Sequence, residues 1–440
     1  MDLEPILRAI RDCRLGGAQV RKWSIFAQQG RRIALGIKDR EVGNPHAPLR
    51  LSEFCSAHYR LIWSDGLLSR GHLERRQLEL DTGAALEGAR AAAYDDPDAS
   101  WVLGPAPIPQ VEIHDPETAS IAGGDTEIFA RRLELVRARI EEHGFRTWSG
   151  SFSAGEGTAR LVTSAGFDAV SRSTSTSWHV TLNGTIGDGF GARKPESHAA
   201  FERRLDGLTR TAKLLETDSE PLEGGVRPVI LDPGVVEEFV LNTLLQNLGG
   251  STVANGEGHF RREQFGSNVP VLREDLGLRL DPLEPFKRGS YRFTGEGVPA
   301  APTRFIDRGR LVQPMLDLKY ARRLGLDPTP LPLGADTMHF EGPEPIPLSD
   351  ALPLASGGAL VLSVLGVHTQ DSASGDFSLS APQALRLDPR APSGFAGRVR
   401  ITISGNIFDI LSDPELRFVQ FDNEHTPGLL FACRVEPSGL

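Results

Sequence analysis

The polar, Gly/Pro-bearing segment Thr217-Asp218-Ser219-Glu220-Pro221-Leu222-Glu223-Gly224-Gly225 divides the chain into two hydrophobic patterns that do not belong to one kind of layer. Ahead of it, amphipathic helices alternate with short half-buried strands. Leu3, Ile6, Leu7 and Ile10 share a helical face, and Thr82 is placed to cap an alanine-rich helix stopped by Asp95-Asp96-Pro97. Asp125 is placed to cap a helix carrying Ile128, Phe129, Leu133, Val136 and Ile140, and a further helix is expected from about Glu196 to Glu216. Ser24 to Ala27 and Arg32 to Ile37, flanking Gln28-Gln29-Gly30-Arg31, predict a hairpin, and Gly104 to Pro109 predicts a proline-ruled connector. Behind the segment stands one strong helix, Pro233 to Leu248, followed by strand after strand, among them Tyr291 to Phe293, Leu360 to Leu365, Val399 to Ile403 and Leu429 to Val435. The expectation is an α+β chain. Its N-terminal helix-and-strand domain spans residues 1–220, and a mostly antiparallel β domain with one central helix spans residues 221–440.

A length of 440 residues exceeds one ordinary core, which agrees with two domains. The formal net charge of -10 argues against nucleic acid as a partner, since phosphate binding needs clustered Lys and Arg. No segment approaches the ~18 consecutive apolar residues of a membrane span. Met1-Asp2-Leu3-Glu4-Pro5 lacks the basic-then-apolar layout of a signal peptide, and Cys13, Cys55 and Cys433 have no disulfide or CxxC spacing. These readings give a cytoplasmic expectation with neither nucleic acid nor membrane as partner.

His368, Asp371, Ser374 and Asp376 form the densest polar cluster between apolar strands. They suit the lining of a peptide cleft, and they equally suit a turn, where Asp, Ser and Gly find local hydrogen bonds. Glu296, between Gly295 and Gly297, is either a functional carboxylate or a solvated turn residue. Asn406 after Gly405 suits left-handed geometry at a strand end. Gly187, Gly189 and Ala192 satisfy a GxGxxA pattern, but Arg193-Lys194-Pro195 breaks the helix that a dinucleotide site needs, so a glycine-rich hairpin or loop is expected. There is no phosphate-binding GxxxxGK loop and no GxSxG elbow.

The order of Gly295-Glu296-Gly297-Val298, Ile306-Asp307-Arg308-Gly309-Arg310-Leu311, Ser374-Gly375-Asp376-Phe377-Ser378 and Ile403-Ser404-Gly405-Asn406 resembles the TldD/TldE (PmbA) family of bacterial peptidase subunits. The likeness runs from about Gly225 to Pro427 and is loose ahead of that. Catalytic members carry an H-E-x-x-x-H helix. Setting Leu248-Gly249-Gly250 on the turn that ends that helix puts Leu241, Asn242 and Gln246 where its His, Glu and His would stand. Leucine cannot ligate zinc, and an amide has no pKa useful to a general base. The nearest two of the 11 histidines are His46 and His58, so no local HxxxH pair replaces the motif. Catalytic relatives also recruit a Cys near the C-terminus, whereas Cys433 sits elsewhere, in an apolar run that suits a buried small residue. The resemblance therefore implies a TldE-like, non-catalytic subunit without a cofactor of its own. Its implied partner is a TldD-like catalytic subunit that carries HExxxH and the zinc. The implied substrate is an extended peptide or peptide-derived molecule, for proteolysis or maturation. The alternatives are a diverged enzyme using His368, Asp371 and Asp376, or a homo-oligomeric binding or scaffold protein.

Overall fold

A computed structural model describes residues 3–41, 49–422 and 424–438; Met1, Asp2 and His46 lie outside them. The architecture is α+β and mostly antiparallel. The first large sheet orders its strands Leu68–Glu74, Leu49–Trp63, Ala18–Glu41, Thr147–Thr163, Asp168–Leu182 and Ile186–Ala192. Odd-numbered residues of its longest strand, Ile25, Ala27, Ile33, Leu35 and Ile37, turn one face toward helices. Helices Glu127–His143 and His198–Leu215 cover one end of that face through Phe129, Val136, Phe201 and Leu205. Helices Glu4–Asp12 and Thr82–Ala91 cover the other end through Ile6, Ile10 and Leu86. Gly144 ends its helix in the left-handed conformation, at φ +67°.

The expected hairpin at Gln28 to Arg31 is absent: Ala18–Glu41 is one strand of 24 residues. Gly30 is a site of close approach instead of a turn. It pairs with Phe54 on one side and Gly157 on the other. A Cβ there would stand 2.3 Å from the Glu156 carbonyl oxygen and 2.6 Å from the Phe54 ring. The even-numbered face meets the second half of the chain, where Phe26, Leu161 and Phe167 pack on Phe293. Tyr291 to Phe293 is irregular, holding only an isolated bridge from Phe293 to Pro299. Gly187 to Ala192 lies in a hairpin strand paired with Thr176 to Thr181, as its glycines predict.

In the second half five strands close on themselves. Gly225–Leu231 pairs with Ala359–Leu365, which pairs with Asp376–Leu387, then Phe395–Asn406, then Gly428–Pro437, which returns to Gly225–Leu231. The inner side chains of this ring, among them Leu231, Val361, Leu379, Ile401, Ile403 and Phe431, bury the Pro233 to Leu248 helix. Each such Leu, Ile or Phe side chain contributes roughly 1.5–3 kcal/mol of burial. The outer side packs Ile230, Leu360 and Leu430 on Ala351 and on Leu215, the last residue of the preceding half's final helix. A smaller sheet, Thr303–Asp307, Gly277–Leu280 and Met338–Glu341 with Arg310–Leu311 at its edge, lies beside the helix.

Candidate functional site

The helix named by the sequence begins as expected. The Asp232 carboxylate accepts from the Gly234 N–H at 2.9 Å, and Pro233 occupies the first turn. Its predicted inward residues Val236, Phe239, Val240, Thr243, Leu244 and Leu248 are all buried. One departure is a π-helical turn over Val236–Leu241 ahead of the α-helical Asn242–Leu248. Leu241 is 2% exposed and joins the core, Asn242 is half-buried and Gln246 is exposed. Leu241 turns into the core while Gln246 faces solvent, so the two point apart. The three positions share a neighbourhood without converging on one point.

Two adjoining hollows flank this helix. The smaller, about 100 Å³, is lined by Asn242, Gln246, His368, Asp371 and Asp376. The larger, about 450 Å³, is lined by Leu241, Leu245, Pro332, Met338, Glu237 and Glu238. Asn242 and His368 border both.

The predicted polar cluster thus stands beside the predicted helix, but most of its chemistry is local. Asp371 accepts from the Ala373 N–H at 2.9 Å, and the Ser374 hydroxyl accepts from the Asp376 N–H at 3.1 Å. The Asp376 carboxylate accepts from the Asn406 amide at 2.9 Å, and the same amide group donates to the Ser374 carbonyl. Asn406 is extended, at φ -122°, instead of left-handed; its side-chain oxygen caps the Ile407–Ser412 helix. Gly375 takes a φ of +79° with the Phe408 ring where a Cβ would stand. The Gly-Asp and Gly-Asn motifs are thus one turn and one helix cap that hold each other. His368 is exposed in the middle of the short 3-10 turn Val367–Thr369.

Asn247 was not read from the sequence. It is 1% exposed, donates to the Thr243 carbonyl at 2.9 Å and the Ser372 carbonyl at 2.7 Å, and accepts from the His259 N–H at 2.6 Å. It fixes the Asp371 turn to the helix. An amide within an apolar helical stripe was the available signal. The His259 ring stacks on Phe408 at 3.6 Å, and burial lowers its pKa.

Glu296 lies apart from both hollows. It accepts from Arg60 at 3.0 Å and from the Leu318 N–H at 2.9 Å, joining the first sheet to the Leu318–Leu324 helix. It is neither a solvated turn carboxylate nor a part of this site.

Zinc takes imidazole, thiolate or carboxylate ligands. The helix supplies an aliphatic side chain and two neutral carboxamides, and among the described residues no group of three His, Cys, Asp or Glu is gathered for an ion. These residues do not fit a catalytic zinc. Cys433 is buried, with its thiol pushed up to about 12 by that burial, which makes it a packing residue.

Residues 224–432 match the family described as PmbA/TldA metallopeptidase C-terminal domain. That match assigns residues 224–432, a little under half of the chain, to this domain family. A metalloprotease of Synechocystis sp. is 27% identical in an alignment of 216 residues that covers 44% of this chain and 42% of that protein's length. The solved TldE of Thermococcus kodakarensis superposes with a TM-score of 0.76 at 15% identity, over 94% of this chain and 97% of that one. A candidate modulator of DNA gyrase from Bacteroides thetaiotaomicron gives 0.74 at 16% identity, over 99% and 97%. At such identities the structural likeness carries the TldD/TldE fold across nearly the whole chain. No helix among the described residues is long and apolar enough to cross a membrane.

Proposed function

We propose that this chain is the non-catalytic, TldE-like half of a cytoplasmic, heteromeric TldD/TldE-type metallopeptidase. The observation that carries the reading is the helix itself, buried in its ring as a framework element with Leu241, Asn242 and Gln246 at the positions where catalysis needs ligands and a base. The partner is a TldD-like subunit whose HExxxH helix holds the zinc. That ion polarises the scissile carbonyl and activates water when bound there. This chain completes the cleft and helps hold an extended peptide or peptide-derived substrate for proteolysis or maturation. A self-sufficient enzyme built on His368, Asp371 and Asp376 is disfavoured, because both carboxylates are already engaged in turn and cap hydrogen bonds.

Reconstitution tests the proposal. Peptide hydrolysis is expected to require both purified chains, and metal analysis of this chain alone is expected to give far less than one zinc. A partner fully active by itself, or a peptidase activity of this chain that is lost with a stoichiometric metal, overturns it.

A further inference from the structure

The helix carries two asparagines with opposite fates. Asn247 uses its donors and acceptor inside the protein. Asn242, half-buried where the two hollows meet, makes no side-chain hydrogen bond among the described residues. A free carboxamide offers one acceptor and two donors, the complement of a peptide unit's N–H and C=O. Beside it Leu241, Leu245, Pro332 and Met338 make an apolar wall, with Glu238, Asn242 and Leu245 following one another along one helical face. The two hollows are lined by four carboxylates, Glu237, Glu238, Asp371 and Asp376, and by no Lys or Arg.

We propose that Asn242 binds the main chain of an extended peptide, that the larger hollow takes an aliphatic side chain of it, and that a neighbouring Lys or Arg is favoured. This selectivity rests on the peptide-holding role given above, and it names the class of sequence held. Charge complementarity commits the occupant: the carboxylates attract a basic residue and repel an acidic one. The amide contact is indifferent to sequence, so Asn242 sets affinity, while Leu245 and the carboxylates set choice.

The test measures binding of blocked tetrapeptides to the full chain, alone and with its partner, by calorimetry. Acetyl-Ala-Leu-Lys-Ala-amide is expected to bind tightest. Changing its Leu to Ser, or its Lys to Glu, is expected to weaken binding roughly tenfold. Asn242→Ala is expected to weaken every peptide by a similar factor, whereas Leu245→Ala weakens only those that carry Leu. Glu238→Gln is expected to narrow the gap between the Lys and Glu peptides. Circular dichroism confirms that each variant is folded. Binding seen only with the partner present supports the site as part of the assembled cleft. Peptides that bind indistinguishably, or preferences unmoved by these variants in a complex whose hydrolysis needs both chains, overturn the inference and leave the subunit role standing. A partner fully active alone removes the subunit role whatever the peptide preferences are.

Discussion

Asn247 places an amide among valines, leucines and a phenylalanine because the Asp371 turn and the His259 backbone both need a fixed partner there. Asn247→Leu should cost about 2–4 kcal/mol, since it strips three hydrogen bonds and leaves buried backbone groups unpaired. The denaturant midpoint measures this, and amide exchange of Ser372 to Asp376 should accelerate with it. Glu296→Ala should cost about 3 kcal/mol or more, because it leaves Arg60, 8% exposed, charged and without its carboxylate. Binding of peptide by the folded remainder should persist, which separates a structural from a substrate-contacting role. The two residues differ in how legible they were. Asn247 interrupts a helical stripe, but nothing in the sequence sets it apart from the nearby amides Asn242 and Gln246. Glu296 is marked by its flanking glycines, while its Arg60 partner lies 236 positions away and no local pattern encodes that distance.

At the scale of elements, the Pro233 to Leu248 helix could be read from its cap, its proline and its stripe, since those signals are local. The π-helical turn inside it has no such signature. The Ala18–Glu41 strand reads from its sequence as two short ones, and Leu49–Trp63 gives no strand signal of its own. Leu49 to Phe54 are all exposed, so the alternation that marks a half-buried strand fades there while the backbone pairing continues. Glycine permits both tight turns and close packing, and what decides for packing at Gly30 is that its neighbours Phe54 and Gly157 come from other strands. Gly30→Ala should therefore destabilise by about 1–3 kcal/mol through overpacking against backbone. Thermal unfolding measures it, and an unchanged midpoint would restore a turn-like, open site.

Over the whole molecule, stability should pass through a maximum at about pH 4. Burial pushes Asp232 up to about 6 and Glu424 up to about 7. Arg204, at 3.1 Å from Glu424 and 2.8 Å from Asp188, only partly offsets the burial. Their protonated forms favour the fold, so this contribution is complete below their unfolded values, about 3.8 for Asp232 and 4.5 for Glu424, and is lost as pH rises through about 7. Glu156 runs the other way. His114, with Arg172 and Arg31, holds it down at about 2, so its contribution is present above about 4.5 and is lost as pH falls toward 2. Denaturant midpoints across this range should trace the maximum, and Asp232→Asn should flatten its alkaline side. The two-unit division at residues 220 and 221 is likewise open to test. A protease site inserted between Leu222 and Val226 should yield fragments that stay together, held by the Arg60–Glu296 and Asp96–Lys319 pairs and the Phe167–Phe293 contact.

The closed ring around the helix also dictates an order of events in time. Gly225–Leu231 must wait for Gly428–Pro437, a partner roughly 200 residues later, before its second edge is satisfied. During synthesis the apolar helix leaves the ribosome long before the strand that seals it. A nascent chain of this kind therefore travels with its core open, and its demand for chaperones should peak over the last few seconds before that strand emerges.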